Sequence, residues 1–321
     1  MGKNAMPKFN TIQDIVQIME KSPTLYSVKI MTTHIPVPDR GGLLNTNDVF
    51  RTGPEGSFNV QYFNPKKIAR QYSDSAEVAF ERKDYSTARD FYLMALTVDP
   101  KYYKMMTFIG QTYEDEGKAD KAIEWYKKAL DSNYIDFMAH WFLAVQLQGK
   151  GDGAGAVNEI TIAKILNRNN PRLNQEFLAI YRENGLKAAD WTFNPQMQLD
   201  STGPGEITIQ ADTTWLLYAT AKALWRYEPG YRAARKVDGY SDREERECLT
   251  GLLVNAGDGQ DSVPERAALA KAADSNLFAE YILYEIELPK NPQLALFLSK
   301  AQMEAVKQYV ITVRGGEKSK K

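Results

Sequence analysis

The chain has 321 residues, 43% hydrophobic and 11% aromatic, with 40 basic and 41 acidic side chains and a formal net charge of −1. That length predicts two domains plus an extension, and the balanced charge excludes bulk attraction to nucleic acid or an anionic membrane, leaving only local patches for such partners. The single cysteine, Cys248, cannot close an intrachain disulfide, so no oxidising compartment is required.

The opening "MGKNAMPKFN" lacks the apolar run of a secretory signal, and no stretch reaches the roughly 18 to 20 uninterrupted apolar residues of a membrane span. A soluble, cytoplasmic protein is the expectation, unless a signal has already been removed. Residues 1–67 read as an irregular amino-terminal arm. Within it, "TIQDIVQIMEKS" sets Ile12, Ile15, Val16 and Met19 at helical spacing, while "LYSVKIMTT" and "FNVQYFN" alternate like short strands or extended pieces. The turn-rich "PVPDRGGLLNTNDVFRTGPEGS" between them reads as a loop, and such an arm could lie across the surface of the repeats that follow.

A 34-residue period then governs the chain. The segments "YSTARDFYLMAL", "ADKAIEWYKKAL" and "GAGAVNEITIAK" superimpose with Ala88, Ala122 and Ala156 in one column and Ala95, Ala129 and Ala163 in another. Between them lie Tyr92, Tyr126 and Ile160, and spacings of three, four and seven residues put all three columns on one helix face. Upstream, Ala76, Gly110 and Ala144 repeat at the same period, followed three residues on by Ala79, Tyr113 and Leu147; small residues there let a neighbouring helix approach closely. Gly117 and Gly151, with Lys83 in the same column, fall where each first helix ends, as a left-handed C-cap requires. Phe177, Leu178, Tyr181 and Gly185 continue the register into a fourth first helix, which reads as a capping helix because its second helix is missing.

These residues resemble the tetratricopeptide repeat family over about residues 69–185, with "FIGQTYEDEGKADKAIEWYKKAL" the most faithful unit. The resemblance implies an all-α, helix-turn-helix solenoid of three repeats plus a capping helix, spanning residues 68–192, and non-catalytic binding of a protein or peptide. It also implies an inner surface lined by positions 2, 5, 9 and 12 of each unit. Counting from Ala69, these are Arg70, Ser73, Glu77 and Phe80; then Lys104, Thr107, Gln111 and Glu114; then Met138, Trp141, Val145 and Gln148. Co-chaperone members hold a peptide's terminal carboxylate with lysine, asparagine and arginine at positions 5 and 9. None of those residues stands there in this chain, and Glu77 would repel the anion. What remains is a groove polar at one end and apolar at Met138, Trp141 and Val145. That stripe either anchors a partner segment or is covered by this chain's own arm or carboxy-terminal domain, and the all-round apolarity of "FMAHWFLAVQ" favours covering.

Past the repeats, "NPQMQLDSTGPGE" reads as a linker over residues 193–211, and residues 212–321 as a helical carboxy-terminal domain with a frayed tail. Its signals are "TTWLLYATAKALWRY", "SDREERECLTGLLVNAG" between a serine cap and Gly257, a capping box from Ser262 to Glu265 with Pro264 in the first turn, and a helix from Asn291 with Pro292 at its first position.

Catalytic and metal-binding patterns are absent from the sequence. His34 and His140 stand alone, no HExxH, paired CxxC or calcium-loop spacing occurs, and no cofactor is expected. "GKGDGAGA" follows a helix, lacks the Lys-Ser/Thr ending of a phosphate loop, and falls at an inter-helix turn. His140 and Cys248 read as packed core residues. Arg226, Arg232, Arg235 and Lys236 among Trp225, Tyr227 and Tyr231 form the one mixture suited to an anionic polymer, but "DREERE" follows at once and cancels its charge. An enzyme or enzyme subunit using the cleft between repeat array and carboxy-terminal domain, with Glu77 and Glu114, is the remaining alternative; no mechanism is visible.

Overall fold

The computed structural model describes residues 10–188, 190–234, 242–254 and 263–316. Its elements sort into two units, Met1–Pro38 with Trp191–Ile282, and Asp39–Asp190 with Leu283–Lys321. The arm (residues 1–67) and the carboxy-terminal segment (212–321) are thus each divided between units rather than forming regions of their own.

Numbered along the chain, the first unit begins with α1 (Ile12–Glu20), whose Thr11 and Asp14 form a capping box, and β1 (Leu25–Ile30). The stretch expected to be a linker instead supplies β4 (Met197–Gly203) and β5 (Glu206–Ala211). The sheet order is β1-β5-β4, with β1 parallel and β4 antiparallel to β5. The prolines and glycines that suggested a linker include the hairpin turn, where Gly205 takes φ +74°. As the central strand, β5 buries Ile207, Thr208 and Ile209 in succession, so its alternation was weak and its β-branched run was the better signal.

Helices α9 (Leu216–Tyr227), α10 (Pro229–Ala234), α11 (Asp242–Val254), α12 (Pro264–Asp274) and α13 (Phe278–Tyr281) complete this unit. Phe193 sits edge-on to Trp215, Tyr218 and Tyr281, with centroids 5.4 to 6.2 Å apart. Between α9 and α11, Lys222 bonds Glu244 at 3.0 Å and also Glu245, which accepts from the Tyr218 hydroxyl. Cys248 is buried beside Leu249 and Leu252, and burial pushes its thiol pKa well up, as a core cysteine requires. Helix α12 starts at Pro264 with Val263 at its N-cap and no side-chain cap bond. Ser262 of the expected capping box lies outside the described residues, as do Ser241 and Gly257.

The second unit opens with an antiparallel pair, β2 (Val49–Thr52) and β3 (Asn59–Tyr62). β2 comes from the segment read as loop. The repeats follow: α2 (Lys67–Glu81) with α3 (Tyr85–Val98), α4 (Lys104–Asp115) with α5 (Ala119–Ser132), α6 (Phe137–Gly149) with α7 (Gly153–Leu166), then α8 (Pro171–Glu183). The columns read from sequence are the core: Ala88, Ala122, Ala156, Ala95, Ala163, Ala76 and Ala144 expose almost nothing. A Cβ on Gly110 would lie 2.4 Å from the Tyr126 ring, so only glycine admits α5 this close to α4. Gly117, Gly151 and Gly185 take φ of +72° to +82°, and Lys83 takes φ +62° in the same column.

The last part of the chain returns to this unit. Pro292–Phe297 is a 3₁₀ turn, Leu298 is extended, and α14 (Lys300–Tyr309) starts afresh on a capping box of Ser299 and Gln302. One continuous helix from Asn291 was expected, but Asn291 makes no side-chain cap bond and the extended Leu298 breaks the run. Both the 3₁₀ turn and α14 pack on α7. That contact explains why α7 is buried continuously from Ile160 to Leu166.

Candidate functional site

The first helices of the repeats present the residues expected on the inner face, and the structure sorts them into three groups. Ser73 and Thr107, both at position 5, are buried. The Tyr102 hydroxyl donates to Ser73 Oγ at 3.4 Å, and Thr107 Oγ1 donates to Asp136 Oδ2 at 2.7 Å. Each bond reaches the residues that lead into the next first helix, so these two side chains hold the solenoid together and leave the candidate contact surface.

Arg70, Glu77, Lys104 and Gln111 form the polar group. Arg70 is exposed and donates to Asn64 Oδ1 at 2.9 Å. Glu77 is exposed yet accepts from the buried Tyr92 at 2.7 Å; the Tyr92 hydroxyl pKa is raised, first by burial and then by this carboxylate. Lys104 pairs with Asp48 at 2.5 Å, both side chains roughly one-third exposed. Gln111 is half-buried.

Met138, Trp141 and Val145 form the apolar group. They lie on one stripe of α6, and all three are half-buried, while Ala139, His140, Leu143 and Ala144 of the same helix are buried. Trp141 stacks on Phe142 with centroids 5.8 Å apart and planes at 28°. Phe142 and Leu147, which pack on the core of Ala122, Tyr126 and Leu143, are half-buried as well. His140 is a satisfied core histidine, with Nδ1 2.5 Å from Glu159 and Nε2 2.9 Å from the Tyr134 carbonyl.

One wall of this site was absent from the expected set. Residues 45–63 of the arm seat on the starts of α4 and α6, where Asn133 Nδ2 donates to the Val49 carbonyl at 2.9 Å. Phe50 sits edge-on to Tyr103, with centroids 6.3 Å apart, and to Phe63 at 6.2 Å. A cavity of about 180 Å³ remains between Asp48, Val49, Phe50, Tyr103, Asn133 and Met138. Only Met138 of the apolar stripe borders it, so the arm reaches the edge of the site. Contacts spanning 56 and 84 residues carry no local pattern, which is why Asp48 and Asn133 were not legible beforehand.

The regular pairing of α4 and α5 coincides with a known pattern: residues 103–135 match the family model described as tetratricopeptide repeat. This stretch is similar to a tetratricopeptide repeat. The matched tetratricopeptide unit is the second of the three that share one register. Among solved structures the chain is similar to the first TPR of Spaghetti (RPAP3) bound to an HSP90 peptide, at 18% identity over 37% of this chain and 94% of that one, TM-score 0.35. It is also similar to the Aspergillus fumigatus Sgt2 TPR domain, at 19% identity over 40% and 91%, TM-score 0.34. A third is the MamA protein, at 15% identity over 72% and 95%, TM-score 0.33. No curated protein matches the chain.

Outside the helical repeats, Arg226 and Arg232 are exposed, but Trp225 is core, with Nε1 donating to Glu247 at 2.9 Å. The stacking surface an anionic polymer would use is to that extent buried. Arg235 and Lys236 lie outside the described residues. Among the described residues no helix is long and apolar enough to cross a membrane.

Proposed function

We propose that this chain is a protein-interaction scaffold, and that its tetratricopeptide array holds an apolar segment of a protein partner against Met138, Trp141 and Val145. Lys104 and Gln111 supply the polar end of that groove, and the exposed Arg70 and Glu77 extend it. The observation carrying the reading is the half-burial of the α6 stripe. Three large apolar side chains in register, left partly open beside the buried Ala139, His140, Leu143 and Ala144, form the kind of anchor at which binding energy concentrates. The reading is non-catalytic, and the arm is a neighbour of the groove rather than its occupant.

Peptides selected from a displayed random library on the full chain test it. A selected peptide should lose about tenfold or more in affinity in Trp141→Ala and in Val145→Glu, and hold its affinity in Arg232→Ala. A selection that returns only peptides indifferent to both groove variants would overturn the reading.

A further inference from the structure

The first unit contains a cavity of about 570 Å³, within the range of small-molecule sites, that the scaffold reading does not use. Four stretches distant in sequence converge on it, contributing His34, Trp191, Asp212, Thr213, Trp215 and Glu265 among others. We infer that this cavity is a binding site for a neutral, polyhydroxylated ligand, a saccharide.

The chemistry of the walls argues for that class. Among the described residues Asp212 and Glu265 line the cavity and no lysine or arginine does, so a phosphate or carboxylate ligand would meet two side chains of its own charge. A wholly apolar ligand would strip water from the same two carboxylates and return no hydrogen bond. A sugar offers both faces at once. Its hydroxyls donate to carboxylate oxygens in charge-assisted bonds, and its C–H faces lie on an indole. Trp191, half-buried, and Trp215, 2% exposed, both line the cavity.

The walls are also held in place before any ligand arrives. Gln196 accepts from the Ile35 backbone N–H at 2.7 Å and donates to its carbonyl at 3.2 Å, and Asn194 donates to the same carbonyl at 2.8 Å, fixing the strip that carries His34. Asp212 Oδ1 caps the turn at Thr214 N, 2.8 Å away. Trp215 is fixed edge-on against Phe193 and Tyr218, with centroids 5.4 and 5.5 Å away. Little ordering remains to oppose binding.

Titration calorimetry on the full chain with glucose, galactose, mannose, N-acetylglucosamine, maltose and cellobiose, and with choline chloride as a cationic probe, tests the inference. At least one sugar should bind saturably, about tenfold more weakly in Trp191→Ala and several-fold more weakly in His34→Ala. His34 is exposed, so that variant keeps the test decisive should Trp191→Ala not fold. The inference is overturned if none of the sugars binds, if both variants bind like the wild type, or if choline alone binds. Trp141→Ala should leave sugar binding untouched, which separates this site from the groove on α6.

Discussion

The Thr107 hydroxyl donates to the Asp136 carboxylate at 2.7 Å, tying the interior of one repeat's first helix to the N-cap of the next. The other Asp136 oxygen accepts from Met138 N at 3.0 Å and Ala139 N at 3.3 Å, so one side chain both starts α6 and fastens it to α4. Thr107→Val keeps the shape and removes the donor. It should cost about 1 to 2 kcal/mol, read as a lower urea midpoint with an unchanged slope.

Gly110→Ala would raise intrinsic helix propensity by about 1 kcal/mol, yet the added methyl falls 2.4 Å from the Tyr126 ring. Overpacking should win, with a net loss of about 1 to 3 kcal/mol in chemical denaturation. Gly149→Ala, whose added methyl meets nothing within 4 Å, should by contrast be neutral or mildly stabilising.

Lys83 occupies the left-handed C-cap position that Gly117, Gly151 and Gly185 fill in the other units. Left-handed backbone costs a residue with a Cβ about 1 to 2 kcal/mol, and glycine's greater freedom in the unfolded chain offsets part of the relief. Lys83→Gly should therefore raise stability by about 0.5 to 1 kcal/mol, measured as an increase in the thermal midpoint.

Burial raises the Glu114 carboxyl pKa above its ordinary 4.5, with the neighbouring Asp115 charge adding to the shift and the Tyr126 and Gln146 hydrogen bonds opposing it. The folded state thus holds this proton more tightly than the unfolded chain. Its contribution is most favourable below pH 4.5 and is lost as pH rises through the higher folded value. Glu114→Gln, which still accepts from Tyr126, should stabilise the protein at pH 7 and make no difference well below pH 4.5. Paired melts across that range decide it, and an advantage largest at low pH would contradict the sign.

Glu285 and Arg314 stand on two π-helical turns, Ile282–Glu287 and Val310–Arg314, and form a bidentate pair with bonds of 2.7 and 2.8 Å. The Tyr309 hydroxyl adds a donor at 2.7 Å, and the Glu285 side chain has no exposure. Glu285→Ala leaves a buried guanidinium without its carboxylate and should cost about 3 to 5 kcal/mol in urea denaturation.

The repeat core was legible because helix pairing needs small residues at fixed intervals, and Ala88, Gly110 and Tyr126 announce their neighbours by spacing alone. The glycine column announced its backbone for the same reason. The inner face was only partly legible. Spacing places Thr107 on the side of α4 that the family uses for ligands, but it does not show that Asp136 reaches back to bond it. Ser73 misled in the same way, through Tyr102. The strand β5 was missed because a central strand buries consecutive residues and loses the alternation that marks an edge. The division of the arm and of the carboxy-terminal segment depends on which distant surface each half covers, and no local pattern records that.

The cover that Pro292–Phe297 and α14 place over α7 sets an order of events during synthesis. More than 130 residues separate Leu166 from Lys300. At about 5 to 20 residues per second, a ribosome needs on the order of 10 s to deliver the cover after α7 has been made. For that interval the nascent third repeat shows an apolar face to its surroundings, which stays open to self-association until α14 arrives.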